Sequence, residues 1–533
     1  MVGVVAAFGA FDALPFMDLP AHAGLIALRR RLLSSAYDQR LYVLAPHFGA
    51  YSLFRGLGDL LASAVGPVGA VRVLAAASVL AMPLAFLDAR RRLHGRARPA
   101  YGCAGVVLGF GLMTLFGFAT YMLGVAALLV CTGLWLELLF GTHPARPARP
   151  WTARAALAAA AAALLFVTHG FAFVLFLGCA GATWLVALAR AQQRRAPAES
   201  REPRWALPAS LVTLAPALAL AALAAYQERA SALPPGSAPP PQPRAGLLFQ
   251  ALPDKLSLLV TPTLMTRWGV DVAAGLALWA IAIASVVATS RWLRAPAAAN
   301  GADGTRAAWC ARALLVCAAL LLAAFAALPH EIGWFGFVDA RLLTVLLAFA
   351  LLATPDAAIG PRLGAAYDRA LPVLAAVMVA LVLVASSLFQ REARGYSEVL
   401  ARVPPYTRLL NVPLDPDSDV FTGHPFIHYD KLALAREPLC VSDLWFHQGS
   451  AVYPRPGNPV LDLPSGYLSS DLRGFDWQRV DLAEWDCVLV RTRAAAAAPR
   501  VPGALRLVDH AGGWWLYATS ASAVTPVTPT GDR

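Results

Sequence analysis

Hydrophobic residues in this chain come in long unbroken blocks. They do not alternate as in a half-buried strand, nor form the narrow stripe of a surface helix. Eleven blocks recur before residue 390, at 2–16, 68–87, 101–118, 121–140, 154–167, 171–189, 205–226, 270–290, 313–328, 342–353 and 371–389. A helix needs about 20 apolar residues to cross a bilayer core. The pattern therefore predicts an α-helical polytopic membrane protein with about 11 transmembrane helices. The stretch 154–189 is too long for one span, and Thr168-His169-Gly170 is its natural break. The first block lacks a basic leader and a small-residue cleavage site, so it reads as a retained anchor.

Residues 41–66 are apolar enough to suggest a twelfth span, but they carry His47, Arg55 and Asp59 and three glycines. The basic loops decide the reading. Segments 88–99, 141–152, 190–204, 291–312 and 355–369 all fall on one side, and arginine-rich short loops stay cytoplasmic. With eleven spans the amino terminus is cytoplasmic and 18–67 is one outer loop. Two amphipathic helices, 21–33 and 42–61, are expected along the outer membrane surface. The loop 227–269 lies outside too. It opens with a proline-rich run at 233–243 that cannot form helix or sheet interior, and a surface helix is expected at 249–264.

After residue 389 the apolar blocks give way to short strand-like runs at 439–445, 487–491 and 505–508. The last of these and 514–517 flank His510-Ala-Gly-Gly, a hairpin turn. The organisation expected is a transmembrane domain (1–390), a small soluble extracytoplasmic α/β domain (391–518) and a disordered tail (519–533). An odd number of spans places the soluble domain outside.

Composition agrees. Of 533 residues 58% are hydrophobic and 14% charged, with a mean hydropathy of +0.58. Soluble proteins carry about 25% charged residues. The net charge of +12 sits in the short loops, which marks topology and argues against a nucleic-acid partner. Five of the seven cysteines lie in or beside spans. Cys440 and Cys487 fall on predicted strands of the outer domain and are read as a disulfide of an oxidising compartment, the alternative being two buried thiols. There is no Gly-rich phosphate loop and no zinc pattern. His424 and His428 have i, i+4 spacing, but Pro425 disfavours a metal-binding helix. No broken helix with paired acids marks an ion-coupled transporter.

The candidate chemistry collects on the outer side. Asp18 stands in Phe16-Met-Asp-Leu-Pro-Ala-His22-Ala-Gly24, directly after an apolar block. With Pro20 at a first helical position, Asp18 reads either as a helix cap or as a functional acid. His22, the 118–121 turn, His169, His330-Glu331 and Asp339-Ala-Arg341 share its side.

The order of parts resembles the GT-C superfamily of polytopic glycosyltransferases, and most closely a group of uncharacterised bacterial membrane proteins of that type. One span ends at an outward acid; two surface helices, many spans and a soluble extracytoplasmic domain follow. The resemblance is carried by Asp18-Leu-Pro-Ala-His22, Phe116-Gly-Phe-Ala-Thr-Tyr121-Met-Leu-Gly124, Thr168-His169-Gly-Phe-Ala-Phe173, the run from Leu328 to Arg341, and Trp485-Asp-Cys-Val-Leu-Val-Arg491. It implies transfer of a sugar from a polyprenyl-phosphate donor to a lipid, glycan or protein acceptor of the cell envelope, by inverting attack with Asp18 as base. It also implies a bacterial inner-membrane location with a periplasmic carboxy-terminal domain. Arg341, with His22, His169 and His330, would bind the donor phosphate. Alternatively, Arg341 is a membrane-edge arginine paired with Asp339, and His169 a helix-end histidine. Many members have two adjacent acids in the first loop, whereas Asp18 stands between Met17 and Leu19. Glu331, Asp254 and Asp339 are the candidates for a second carboxylate or for ligands of a divalent metal, Mg or Mn. The competing readings are a non-catalytic envelope-binding scaffold and a lipid or polysaccharide transporter.

Overall fold

A computed structural model describes residues 1–45, 48–193, 206–230, 246–295, 301–333, 335–444, 451–464, 467, 475–493 and 498–519. The proline-rich run and nearly all of the expected tail lie outside these residues. The helices in order are α1 (Val2–Gly9), α2 (Leu19–Arg31), α3 (Ala36–Leu41), α4 (Ser52–His94), α5 (Pro99–Gly109), α6 (Leu112–Leu115), α7 (Ala119–Phe140), α8 (Trp151–Thr168) and α9 (Gly170–Gln193). They continue as α10 (Ala206–Val212), α11 (Ala215–Ala230), α12 (Leu252–Ser257), α13 (Val270–Arg294), α14 (Gly301–Ala327), α15 (Val338–Leu352), α16 (Asp356–Glu392), α17 (Tyr396–Leu400) and α18 (Lys431–Arg436).

Among the described residues, eight helical stretches are long and apolar enough to cross a membrane. The other three apolar blocks hold α1, α5 and α15, of 8, 11 and 15 residues. These fall short of the ~20 residues a crossing needs, so the expected count of eleven exceeds what helix length supports. The chain is a multi-pass membrane protein with a small carboxy-terminal sheet domain. The break at His169 is where it was expected, between α8 and α9.

The long helix α4 contains a hinge at Gly66, whose φ of 73° is left-handed. Gly66-Pro67 breaks the hydrogen-bond ladder, because proline lacks the N–H and its predecessor avoids helical angles. Gly360-Pro361 does the same in α16. The limb of α4 before Gly66 corresponds to the end of the surface helix expected at 42–61. The start of that segment is instead strand β1 (Tyr42–Leu44). The helix expected at 21–33 is α2. The one expected at 249–264 is reduced to α12 and a single 3-10 turn.

The carboxy-terminal domain is built on a five-stranded mixed sheet. Numbered in chain order, β2 is Leu247–Leu248, β3 Glu331–Ile332, β4 Arg408–Pro413, β5 Cys440–Val441, β6 Val452–Pro454, β7 Cys487–Arg491, β8 Arg506–Ala511 and β9 Trp514–Ala518. The sheet order is β5-β4-β7-β9-β8. Strand β4 runs parallel to its neighbours β5 and β7, and β8–β9 is the expected hairpin. Cys440 pairs beside Arg408 and Cys487 beside Leu409, on opposite sides of β4. Two strand spacings of about 4.8 Å separate them, beyond the ~7 Å Cα limit of a disulfide. Both are buried free thiols, and the expected bridge is not formed.

The sheet domain is joined to the membrane domain at several points. β1 from the first loop pairs antiparallel with β6. α18 packs on α2 at Gly24, where a Cβ would lie 3.2 Å from the Lys431 carbonyl oxygen. Arg31 Nη1 donates to the Leu434 carbonyl at 2.8 Å. The Tyr429 hydroxyl donates to the Leu14 carbonyl at 2.9 Å, and Thr422 N donates to Met265 O at 2.9 Å. The first loop and the last domain thus pack against each other as one body.

Candidate active site

Asp18 immediately precedes α2, but its side chain makes no capping hydrogen bond. The cap reading of the sequence fails, and the carboxylate is left for other partners. Its position is set by the backbone. Asp18 N donates to Phe116 O at 3.1 Å and Met17 N to Leu115 O at 2.9 Å. Gly117, at φ 79°, closes this contact; a Cβ there would stand 2.7 Å from Asp18 N. Asp18 is only 8% exposed. Burial raises its carboxyl pKa well above the ordinary carboxylate value, Arg341 draws it back down, and nearby Asp443 pushes it up.

Arg341 lies in the first turns of α15, at 6% exposure. Its guanidinium carbon is 4.2 Å from the ring centre of Phe335, 4.4 Å from Phe118 and 5.4 Å from Tyr121. The Tyr121 hydroxyl bonds to the Arg341 carbonyl oxygen. Nη2 donates to Gly336 O at 3.2 Å, while buried Nε has no acceptor among the described residues. Pairing with Asp339 does not occur, because residues two apart on a helix face different ways. Asp339 turns to His330 Nδ1 at 2.8 Å and Lys255 Nζ at 3.4 Å. A buried cation in an aromatic box with an unused N–H is suited to an anionic ligand.

His169 ends α8. Its Nδ1 accepts from Ala172 N at 3.2 Å, so the helix-end role is realised. In the neutral ring the proton is then on Nε2, a donor. The ring sits 5.0 Å from Tyr51 and 5.4 Å from Tyr121, on the Arg341 side of the bundle. A Cβ on Gly124 would lie 2.6 Å from His169 Cβ, which accounts for glycine at the end of the Tyr121-Met-Leu-Gly124 motif. His22 lies 5.0 Å from Phe54, ring to ring, and burial lowers its pKa to about 4.

The structure does not bring every candidate to Asp18. His330, Asp339 and Lys255 form a separate cluster where α12 meets α15. Glu331 is on β3 and Asp254 in the first turn of α12. None of these acids pairs with Asp18. Among the described residues no group of three His, Cys, Asp or Glu could hold a metal ion.

Two residues that the sequence did not single out for this site do reach it. His428 Nε2 is 3.7 Å from Asp18 Oδ1, and its Nδ1 is 3.9 Å from Asp443 Oδ2. His424, four residues earlier, turns away to Asp417 at 2.6 Å, so the histidine pair has no shared ligand. Behind His428, buried Asp430 pairs with Lys431 at 2.9 Å and accepts from Asn411 Nδ2 at 3.0 Å. Tyr51, left-handed at φ 72°, was likewise unmarked. The only cue was the His424–His428 spacing, which pointed to the wrong chemistry.

No family model and no curated protein matches the chain. The crystal structure of ArnT from Cupriavidus metallidurans in the apo state aligns with 98% of this chain and 96% of its own, with a TM-score of 0.51 and 13% identity. The cryo-EM structure of the arabinofuranosyltransferase AftD from Mycobacteria covers 97% of this chain but 39% of its own, at TM-score 0.45 and 17% identity. The end-to-end match shows that the chain shares the polytopic fold of ArnT.

Proposed function

We propose that this protein is a membrane glycosyltransferase. It moves a sugar from a polyprenyl-phosphate donor to a lipid, glycan or protein acceptor, on the periplasmic face of a bacterial inner membrane. The observation that carries this reading is a buried, uncapped carboxylate near enough to a buried guanidinium with an open N–H for the two charges to shift each other's pKa. Asp18 takes the proton of the acceptor hydroxyl as its oxygen attacks the anomeric carbon. The bond from that carbon to the phosphate oxygen breaks, and the electron pair leaves with polyprenyl phosphate. Arg341 meets the charge that develops on the leaving phosphate. A single displacement inverts the anomeric centre. A raised carboxyl pKa makes Asp18, once ionised, a stronger base than a free carboxylate.

The test is lipid-linked sugar turnover by the purified protein in nanodiscs, with native polyprenyl extracts as donor. Folded Asp18→Asn should lose at least about 10²-fold, the lower end of a general base's contribution. Turnover equal to wild type would reject Asp18 as base. A silent wild type, with extracts that support a control transferase, would reject the enzyme reading.

A further inference from the structure

Each inverting transfer leaves a proton on Asp18, and a buried acid cannot hand it to bulk water directly. We infer that His428 and Asp443 form the path by which Asp18 releases that proton. The inference rests on the glycosyltransferase reading. It extends that reading to the carboxy-terminal domain, where both residues lie.

The geometry is a line of three groups with an imidazole in the middle. His428 presents Nε2 to Asp18 and Nδ1 to Asp443. Side-chain exposure is 11% at Asp18, 7% at His428 and 24% at Asp443, so the line runs from a sealed acid to the most open one. The gaps of 3.7 and 3.9 Å are too narrow to hold a water. They lie about 0.5 and 0.7 Å beyond the ~3.2 Å limit of hydrogen-bond reach, gaps that unliganded sites commonly close when substrate binds.

Burial, with Lys431 and His22 nearby, lowers the His428 pKa well below its ordinary value, so the ring rests neutral and has a lone pair to accept with. Asp18 and Asp443 face it with the opposite sign, and Asp430 lies behind Lys431. The steps balance. The Asp18 carboxylic acid gives its proton to Nε2, and His428 is briefly a cation between two carboxylates. The ring then turns about Cβ–Cγ, the Nε2 proton passes to Asp443 Oδ2 and from there to water, and the ring turns back. One proton leaves, and His428 ends neutral with its proton on Nδ1, as it began. His428 does not touch the reacting atoms in this scheme and is a positioning residue for proton exit.

Because release follows chemistry, removing the path should spare the first turnover and slow later ones. Rapid-quench turnover with excess donor and acceptor separates the two in wild type, His428→Gln and Asp443→Asn. Asp443 is the more exposed and its variant the safer for folding, which thermal unfolding checks. In both variants a burst of one product per enzyme is expected at the wild-type rate. Steady-state kcat should then fall about 10²-fold for His428→Gln, within the range of lost proton transfer. Added imidazole should restore much of the loss at His428→Gln. Equal loss of the first and later turnovers, or no loss, with a turning-over wild type, overturns the relay and leaves the glycosyltransferase reading standing. A silent wild type overturns both.

Discussion

Gly117→Ala is the most direct probe of how the fold places the acid. Gly117 is left-handed, at φ 79°, and a Cβ would lie 2.7 Å from Asp18 N, 2.9 Å from Asp18 Cβ and 3.0 Å from Leu19 N. Carbon contacts settle near 3.5–4.0 Å, so the Asp18 turn must recede by about 0.7 Å or more. The two backbone bonds that hold it, Met17 N to Leu115 O and Asp18 N to Phe116 O, would stretch together. The left-handed angle itself costs a non-glycine residue roughly 1–2 kcal/mol. A shift of about 1 Å at a reacting group costs about 10²-fold in rate. Gly457 separates the two effects: it has φ 80° but nothing within 4 Å of its would-be Cβ. Gly457→Ala should therefore lose about 1–2 kcal/mol of stability and keep its rate. Gly117→Ala should lose at least as much stability and about 10–100-fold in turnover. Thermal unfolding and lipid-linked turnover in nanodiscs read both. Wild-type turnover in Gly117→Ala would refute the idea that this glycine sets the acid's position.

Arg341→Lys keeps the charge but loses the fork and the flat contact with Phe335 and Phe118. Cation–π contacts are worth about 0.5–2 kcal/mol each, so KM for the donor should rise about tenfold or more while the protein stays folded; an unchanged KM would remove Arg341 from donor binding. His22 should make stability acid-sensitive. Its folded pKa of about 4 lies below the unfolded value near 6.5, so the unfolded chain binds more protons between these pH values. The neutral ring is fully tolerated above pH 6.5, and stability falls as pH drops towards 4, by up to about 3 kcal/mol. Thermal unfolding from pH 7 to 4 should fall less steeply in His22→Gln than in wild type.

Hydropathy made the membrane domain readable because burial in lipid demands continuous apolar runs. The break at His169 was readable because α8 and α9 together exceed one bilayer. The sheet domain was harder. β7 matches its expected range, but β4 was missed, although it is the strand on which β5 and β7 pair. Arg-Leu-Leu-Asn-Val-Pro is short, lacks clear alternation and ends in proline. β1 escaped because its partner, Val452–Pro454, comes from the far end of the chain. Asp18 stood out as an acid directly after an apolar block. Arg341 stood out too, but not its separation from Asp339, which needs the helix period and the competing Lys255 and His330. His428 and Asp443 had no local signature, since docking of α18 on α2 is what carries them to Asp18.

That docking bears on the scaffold reading. An outer domain that acts only by binding an envelope component needs a free face and a loose tether. This domain is instead tied by the β1–β6 ladder, by Arg31 to the Leu434 carbonyl, by Tyr429 to the Leu14 carbonyl and by Thr422 to Met265. The contact with the first loop places His428 beside Asp18. Rigid-body motion of the domain would break several buried hydrogen bonds at once, each worth about 0.5–1.5 kcal/mol net. Holding those ties in a membrane protein makes physical sense when the domain is part of the site. A fixed domain also holds His428 beside Asp18 and keeps that carboxylate buried, which sustains its raised pKa.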